Sequence, residues 1–134
     1  MNAAAKIGDD ALQRIGAVLS NGVALRPLDI CARLGGEEFV VVWYDASPET
    51  LAPLVEKLLA AIRAIELEVS GQKVPYHITA SAGLTWLIPT TESSPERVFA
   101  KADGLMYQAK KSGRDQAALE AFDVDAPQTA DRPN

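Results

Sequence analysis

The chain has 134 residues, 48% of them hydrophobic and 23% charged, which suits one globular domain and hardly two. Its net charge of −5 argues against a general nucleic-acid binder, because phosphate backbones are bound by clustered lysine and arginine. One cysteine and one histidine exclude an internal disulfide framework, a multi-thiolate metal site and a two-histidine metal site.

The sequence pattern predicts neither a membrane-spanning helix nor a secretory signal. No apolar run approaches the roughly 18 residues of a membrane-spanning helix. The first ten residues lack a basic start followed by a long apolar stretch, so they do not resemble a secretory signal. We therefore expect a cytoplasmic α/β domain whose chemistry rests on carboxylates, lysine and arginine.

The first third of the chain predicts a helix followed by a β-hairpin. Apolar residues at helical spacing predict a helix over 9–20, with Asp9 near its positive end. Alternation predicts a strand over 29–34, and the β-branched and aromatic residues 39–44 predict a second strand buried on both faces. Since the two strands flank a pair of glycines, we expect 35–38 to form the hairpin tip.

The rest of the chain predicts two more helices and further strands. Ser47-Pro48 and Ser94-Pro95 are typical helix starts, and Gly113 is a typical helix end. A β region is expected over 76–88, with a bulge or kink at Gly83, and a short closing strand over 116–119. This order predicts an α/β sandwich with a largely antiparallel sheet flanked by helices. The residues from 123 to 134 are expected to form a disordered tail.

The hairpin tip is the segment most suggestive of chemistry. Gly35 and Gly36 would let a backbone approach a phosphate chain closely. Glu37 and Glu38 could hold Mg²⁺ against that phosphate. The plain alternative is a turn with two solvated carboxylates.

Several segments resemble the GGDEF family of diguanylate cyclases. Residues 35–39 match the GGEEF variant of its signature, and Arg26-Pro27-Leu28-Asp29 resembles its RxxD inhibitory motif. Residues 79–83 are similar to its S-x-G strand, and 102–115 to the end of its last helix. Gly8-Asp9 resembles the end of its G-H-x-x-G-D motif. Because these motifs occur in order across the chain, the resemblance is far more specific than a single Gly-Gly turn.

The resemblance implies a palm-like, nucleotide-cyclase-like fold and an enzyme that condenses two GTP into cyclic di-GMP. It implies Mg²⁺, or Mn²⁺ in its place, and a homodimer in which each subunit presents one GTP. Glu37 would be a metal ligand and the general base, and Glu38 would support the metal or the nucleotide. The implied substrate-binding residues are Asp9, Gly35, Gly36, Lys110 and Arg114, and the implied product-feedback pair is Arg26 and Asp29.

Each of these residues also has a plainer interpretation. Lys110 and Arg114 could merely complement the carboxyl end of a helix, and Asp9 could cap a helix start. Arg26 and Asp29 could form an ordinary surface ion pair.

The front of the chain departs from the family pattern. Ala4-Ala5 stand where the family has Gly-His, and the family's first strand, with a metal-binding aspartate, has no counterpart. We therefore expect a partial GGDEF domain over 1–122, without the N-terminal strand and helix, that is inactive by itself. The alternative is a non-catalytic GGDEF-like module that binds cyclic di-GMP through Arg26 and Asp29, or binds a protein partner.

Overall fold

The structure, a computed structural model, describes residues 3–22 and 26–125 and divides into two compact units. The first unit comprises the described residues up to Ala46 together with Lys57–Thr79. The second comprises Ser47–Glu56 together with the described residues from Ala80 onward. Most of the predicted disordered tail, from residue 126, lies outside the described residues.

The first unit begins with helix α1, Ala3–Gly22. The helix starts six residues before the predicted boundary because the alanines at its beginning have high helix propensity. Asp9 therefore lies inside the helix, and its interpretation as a helix cap is wrong. A Cβ added to Gly16 of this helix would lie 3.8 Å from the ring of Phe39.

The predicted hairpin is confirmed. Strands β1, Ile30–Gly35, and β2, Glu38–Val42, pair antiparallel from Ile30↔Val42 to Gly35↔Glu38. The register shifts between Arg33 and Gly35, so one residue of β1 is bulged near the tip. Burial of the second strand on both faces is wrong: Val42 is 49% exposed. The reason is that α1 covers the face that carries Phe39, while the Ile30–Val42 pair faces outward.

Helix α2, Pro48–Arg63, starts at the predicted Ser-Pro signal. The Ser47 hydroxyl accepts a hydrogen bond from the backbone N–H of Thr50 at 3.3 Å, which satisfies one of the helix's free donors. After α2, strand β3, Glu66–Leu67, pairs antiparallel with β4, Tyr76–His77. Strand β3 was not predicted, because two residues are too few to show an alternating pattern.

The second unit contains β5, Ala82–Leu84, helix α3, Pro95–Lys111, and β6, Ala117–Leu119. Ser94 caps α3 by accepting from the N–H of Arg97, as the sequence predicted. The closing strand is also confirmed, but β6 pairs with β5 in parallel. In the described residues the strands thus form two antiparallel pairs and one parallel pair, each a two-stranded sheet.

Gly83 does not mark a bulge or kink, contrary to the prediction. It pairs regularly with Ala118. A Cβ at this position would lie 2.1 Å from the carbonyl oxygen of Ala102 and 2.4 Å from the backbone nitrogen of Met106. Glycine is required here because α3 packs directly against the backbone of β5.

Candidate functional site

The tip of the β1–β2 hairpin is a two-residue turn formed by Gly36 and Glu37. Gly35 and Gly36 have φ values of +134° and +53°, which glycine adopts at little cost. Among the described residues, no heavy atom beyond the chain neighbours lies within 4 Å of a Cβ built on either glycine. The backbone of the tip is therefore open to the close approach of a ligand.

Arg33 holds this turn from the side of β1. Its Nε donates to the carbonyl oxygen of Gly36 at 2.8 Å, and its Nη2 donates to the same oxygen. In a trans peptide the carbonyl and the following N–H point in opposite directions. The amide N–H of Glu37 therefore points away from Arg33, which leaves it available as a donor at the tip.

The two glutamates at the tip differ in exposure. Glu37 is exposed in the turn, whereas Glu38 is half-buried as the first residue of β2. Mg²⁺ in nucleotide sites is commonly held by one or two carboxylates together with phosphate oxygens. The donor set of Glu37 and Glu38 therefore fits Mg²⁺ or Mn²⁺. Over residues 3–22 and 26–125, no three His, Cys, Asp or Glu side chains gather into a metal-binding group.

The carboxyl end of α3, in the second unit, carries Lys110 and Arg114. The N–H of Ser112 donates to the Gln108 carbonyl at 2.9 Å, and the N–H of Arg114 donates to the Ala109 carbonyl at 3.0 Å. The second bond is typical of a Schellman helix end, in which a glycine follows the cap residue. The helix end thus fixes the backbone of Arg114, while its side chain is exposed.

Asp9 lies exposed on α1, in the first unit. The hairpin tip also belongs to the first unit, whereas Lys110 and Arg114 belong to the second. The guanine-binding role of Asp9 stays a prediction.

Arg26 and Asp29 are brought together by the structure. Arg26 Nη2 lies 3.0 Å from Asp29 Oδ1, and the backbone N–H of Arg26 donates to Oδ2 at 3.0 Å. The Asp29 side chain is only 2% exposed, because the Arg26 side chain, itself 48% exposed, lies against it. The hydrogen bond from the Arg26 side chain, helped by the charge and backbone N–H of that residue, lowers the pKa of Asp29.

Arg26 also closes the base of the hairpin. Its Nη1 donates to the carbonyl of Asp45 at 3.2 Å, and its Nη2 donates to the carbonyl of Tyr44. Its donors are therefore directed at the protein's own acceptors. A ligand that binds this guanidinium has to compete with them.

Residues 5–116 match the family model described as diguanylate cyclase, GGDEF domain. The chain belongs to the GGDEF family. The matched range contains the hairpin tip, the Arg26–Asp29 pair and the cations at the end of α3.

Individual relatives agree with the family match. The GGDEF domain is 41% identical over 109 residues to the diguanylate cyclase DgcP of Pseudomonas aeruginosa. The aligned region covers 81% of this chain and 15% of that protein. The chain thus spans only a small part of this relative.

Solved structures confirm the predicted nucleotide-cyclase-like α/β fold. The crystal structure of the diguanylate cyclase SiaD in complex with its activator SiaC from P. aeruginosa superposes with a TM-score of 0.72 at 27% identity, covering 84% of this chain and 41% of that chain. The GGDEF domain of DgcB from Caulobacter crescentus in complex with c-di-GMP superposes with a TM-score of 0.74 at 23% identity, covering 85% and 65%. The second likeness supports the fold alone.

In the described part of this GGDEF domain, none of the helices combines the length and the apolar character needed to cross a bilayer.

Sequence reasoning missed the side chains that hold the predicted site residues in place. Arg33 binds the turn carbonyl, and its only sequence signal is its position three residues before Gly36. Gln116 binds two carbonyls in the loop around Arg114, and no sequence pattern indicated it. Such contacts depend on backbone directions that a residue pattern does not contain.

Proposed function

We propose that this chain is a diguanylate cyclase domain, of the kind that condenses two molecules of GTP into cyclic di-GMP with the help of Mg²⁺, and that it is inactive by itself. The observation that carries the proposal is the hairpin tip, where two positive-φ glycines are followed by the carboxylates of Glu37 and Glu38. Membership of the GGDEF family and the likeness to named diguanylate cyclases support it.

At the tip, Glu37 and Glu38 would hold the divalent ion. Glu37 would take the proton from the attacking 3′-hydroxyl, whose oxygen would bond to the α-phosphorus of the other GTP as pyrophosphate leaves. When bound, Mg²⁺ offsets phosphate charge and lowers the barrier to attack on the α-phosphate. The exposed backbone of Gly35 and Gly36 would let the phosphate chain approach, and the N–H of Glu37 would donate to one of its oxygens.

The remaining predicted residues would bind the rest of the nucleotide. Lys110 and Arg114 would donate to phosphate oxygens, for which the planar guanidinium of arginine offers paired donors. Asp9 would accept from the N–H groups of guanine. Because each GTP has to attack the other, two copies of the domain would act together as a homodimer.

Arg26 and Asp29 would bind cyclic di-GMP and reduce activity when product accumulates. The geometry supports the pair as a unit, with its guanidinium and carboxylate 3.0 Å apart. This same pair is what favours the second candidate function, a non-catalytic module that binds cyclic di-GMP. The two candidates differ in whether Mg²⁺ and GTP bind at the tip.

The test is a calorimetric titration of the chain with GTP, with and without Mg²⁺. We expect Mg²⁺ to strengthen the binding of GTP. Glu37→Gln should lower the affinity for GTP in the presence of Mg²⁺ about tenfold, since a charged contact is lost. Glu56→Gln, at an exposed glutamate of α2, is the matched control and should bind like the parent.

A chromatographic assay of the same samples measures cyclic di-GMP directly. Product that disappears with Glu37→Gln supports the catalytic role of the tip and contradicts the prediction that the isolated chain is inactive. Binding of Mg²⁺ and GTP without product agrees with the prediction that the isolated chain is inactive. Cyclic di-GMP binding without any GTP binding contradicts the catalytic proposal and favours the second candidate.

A further inference from the structure

The loop between α3 and β6 has a backbone that side-chain-bearing residues rarely adopt. Gly113, Arg114 and Asp115 have φ values of +121°, +63° and +51° in succession. For the two non-glycine residues this left-handed conformation costs free energy and persists only when neighbouring contacts impose it. The loop therefore needs a partner that holds it.

Gln116 supplies that partner. Its Nε2 donates to the carbonyl oxygen of Ser112 at 3.0 Å and to that of Arg114 at 3.1 Å. The two accepting carbonyls flank Gly113, and a Cβ added to Gly113 would lie 3.6 Å from the same Nε2. Both amide hydrogens of Gln116 are thus directed into the loop.

The backbone of Gln116 is anchored to a strand. Its carbonyl oxygen accepts from the N–H of Ala82 at 3.0 Å, next to the first of the parallel β5–β6 pairs. One residue therefore connects the β5–β6 pair to the loop that carries Arg114. A fixed backbone under an arginine reduces the conformational freedom that is lost when its guanidinium binds a phosphate.

We propose that Gln116 is a positioning residue that holds Arg114 in its phosphate-binding conformation. The inference rests on the proposed function, since it assumes that Arg114 binds GTP phosphate. Gln116 would make no contact with the substrate and would act only through the loop that carries Arg114.

The test uses two substitutions that remove the donor and keep the side-chain length, Gln116→Met and Gln116→Glu. Titration with Mg²⁺ and GTP should show binding about five- to tenfold weaker for both variants, as expected for lost hydrogen bonds. Gln108→Met, at an exposed glutamine of α3, is the matched control and should not change the affinity.

A double-mutant cycle separates positioning from general damage. If Gln116 acts through Arg114, then Gln116→Met added to Arg114→Ala should weaken binding no further. A merely structural role would weaken the double variant again. Hydrogen exchange of the Arg114 amide, which donates to Ala109, should accelerate in both Gln116 variants without nucleotide.

The outcomes distinguish the two proposals. If Arg114→Ala leaves GTP binding unchanged, or the folded parent binds no GTP, the phosphate-binding proposal fails and the inference fails with it. If Arg114→Ala weakens binding but the Gln116 variants bind like the parent, only the positioning inference is overturned. If Gln116→Met proves unstable at the titration temperature, Gln116→Glu decides by the same criteria.

Discussion

The hairpin tip and the carboxyl end of α3 both carry charged residues predicted to bind nucleotide, but they are supported in different ways. The hairpin exposes apolar residues such as Ile30, and its turn is held by hydrogen bonds from one arginine side chain. The end of α3 is supported by packing, with Leu105 and Ala109 only 2% and 1% exposed. Changes of charge and hydrogen bonding should therefore affect the first region, and changes of volume the second.

Two tryptophans allow the regions to be followed separately. Trp43 lies in the first unit and Trp86 in the second, and both are half-buried. Trp86→Phe leaves fluorescence that reports on the first unit, and Trp43→Phe leaves fluorescence that reports on the second.

The largest effect is expected from Gly83→Ala. The added methyl group would meet the backbone of α3 at 2.1 Å, where neither atom can move aside, so we expect a loss of about 3 kcal/mol in the stability of the second unit. Urea denaturation followed by Trp86 fluorescence measures it.

The matched control for that change is Gly8→Ala. Apart from its chain neighbours and the backbone of α1 around it, no described atom lies within 4 Å of a Cβ built on Gly8. Alanine should therefore stabilise the helix by about 0.5–1 kcal/mol. Equal effects of the two substitutions would contradict the close packing of β5 against α3.

Next in size is Arg26→Ala. The change removes the ion pair to Asp29 and the donors to two carbonyls at the hairpin base. We expect affinity for cyclic di-GMP to fall about ten- to hundredfold, and the Trp43 unfolding midpoint to fall as well. Calorimetric titration and urea denaturation measure the two effects.

Lys57→Ala, at an exposed lysine of the same unit, is the control for charge alone and should change neither quantity. Asp29→Asn separates the ion pair from the hydrogen bonds at the hairpin base, because Arg26 can still donate to the carbonyls of Tyr44 and Asp45. Unchanged affinity in a folded Arg26→Ala variant would leave the pair as an ordinary surface ion pair.

A smaller loss of stability of the first unit is expected when the pH is lowered. The pKa of Asp29 is held below its ordinary value of 3.8, chiefly by the hydrogen bond from Arg26. A lowered pKa means that the ionised form stabilises the folded state above about pH 4 and that this stability is lost as pH falls further. Trp43-monitored denaturation between pH 5 and 2.5 should show the loss, and Asp29→Asn should flatten it.

Glu96 provides the comparison in the second unit. Its pKa is lowered from 4.5, first by its own backbone N–H and then by the hydroxyl of Ser94. Glu96→Gln should flatten the acid dependence of the Trp86 signal and leave that of Trp43 unchanged. A common response of both signals to either substitution would argue against separate titration of the two units.

The smallest effect is expected from the ion pair between Lys101 and Glu120. The two charged atoms lie 2.9 Å apart, but the side chains are 29% and 58% exposed, so water weakens their attraction. Glu120→Gln should cost no more than about 1 kcal/mol, as measured by Trp86-monitored denaturation, and the difference should shrink in high salt. A larger, salt-independent loss would indicate that Glu120 supports the packing of the second unit.

Sequence patterns predicted the features that depend on local residue order. Ser94 and Pro95 marked the start of α3, and the Gly-Gly pair marked the hairpin tip, because capping and turn geometry are properties of a few adjacent residues. The parallel pairing of β5 with β6 could not be predicted, since the residues that pair are far apart in the chain. For the same reason the sequence could not predict why position 83 requires glycine, since this depends on how closely α3 approaches the backbone of β5.

For the candidate site, the sequence could name candidate residues but not the contacts that support them. Glu37 and Arg114 are predicted to bind metal and nucleotide because they match family motifs, and Glu37 also because it follows a pair of glycines. The carbonyl that Arg33 binds and the loop that Gln116 holds exist only once the backbone has turned. A pattern of residues indicates which groups could react, whereas the folded backbone decides which of them are held still.

The parallel pairing of β5 and β6 also sets an order of events during synthesis. The hairpin can close as soon as its own short stretch of chain has emerged, whereas Leu84 has to wait for Leu119, which is 35 residues further along. At a ribosomal rate of about 5–20 residues per second, that interval lasts about 2 to 7 seconds. During it the edge of β5 that later pairs with β6 lacks that partner, and an unpaired strand edge can pair wrongly with other molecules. Slower translation of the segment that encodes α3 would lengthen this exposure.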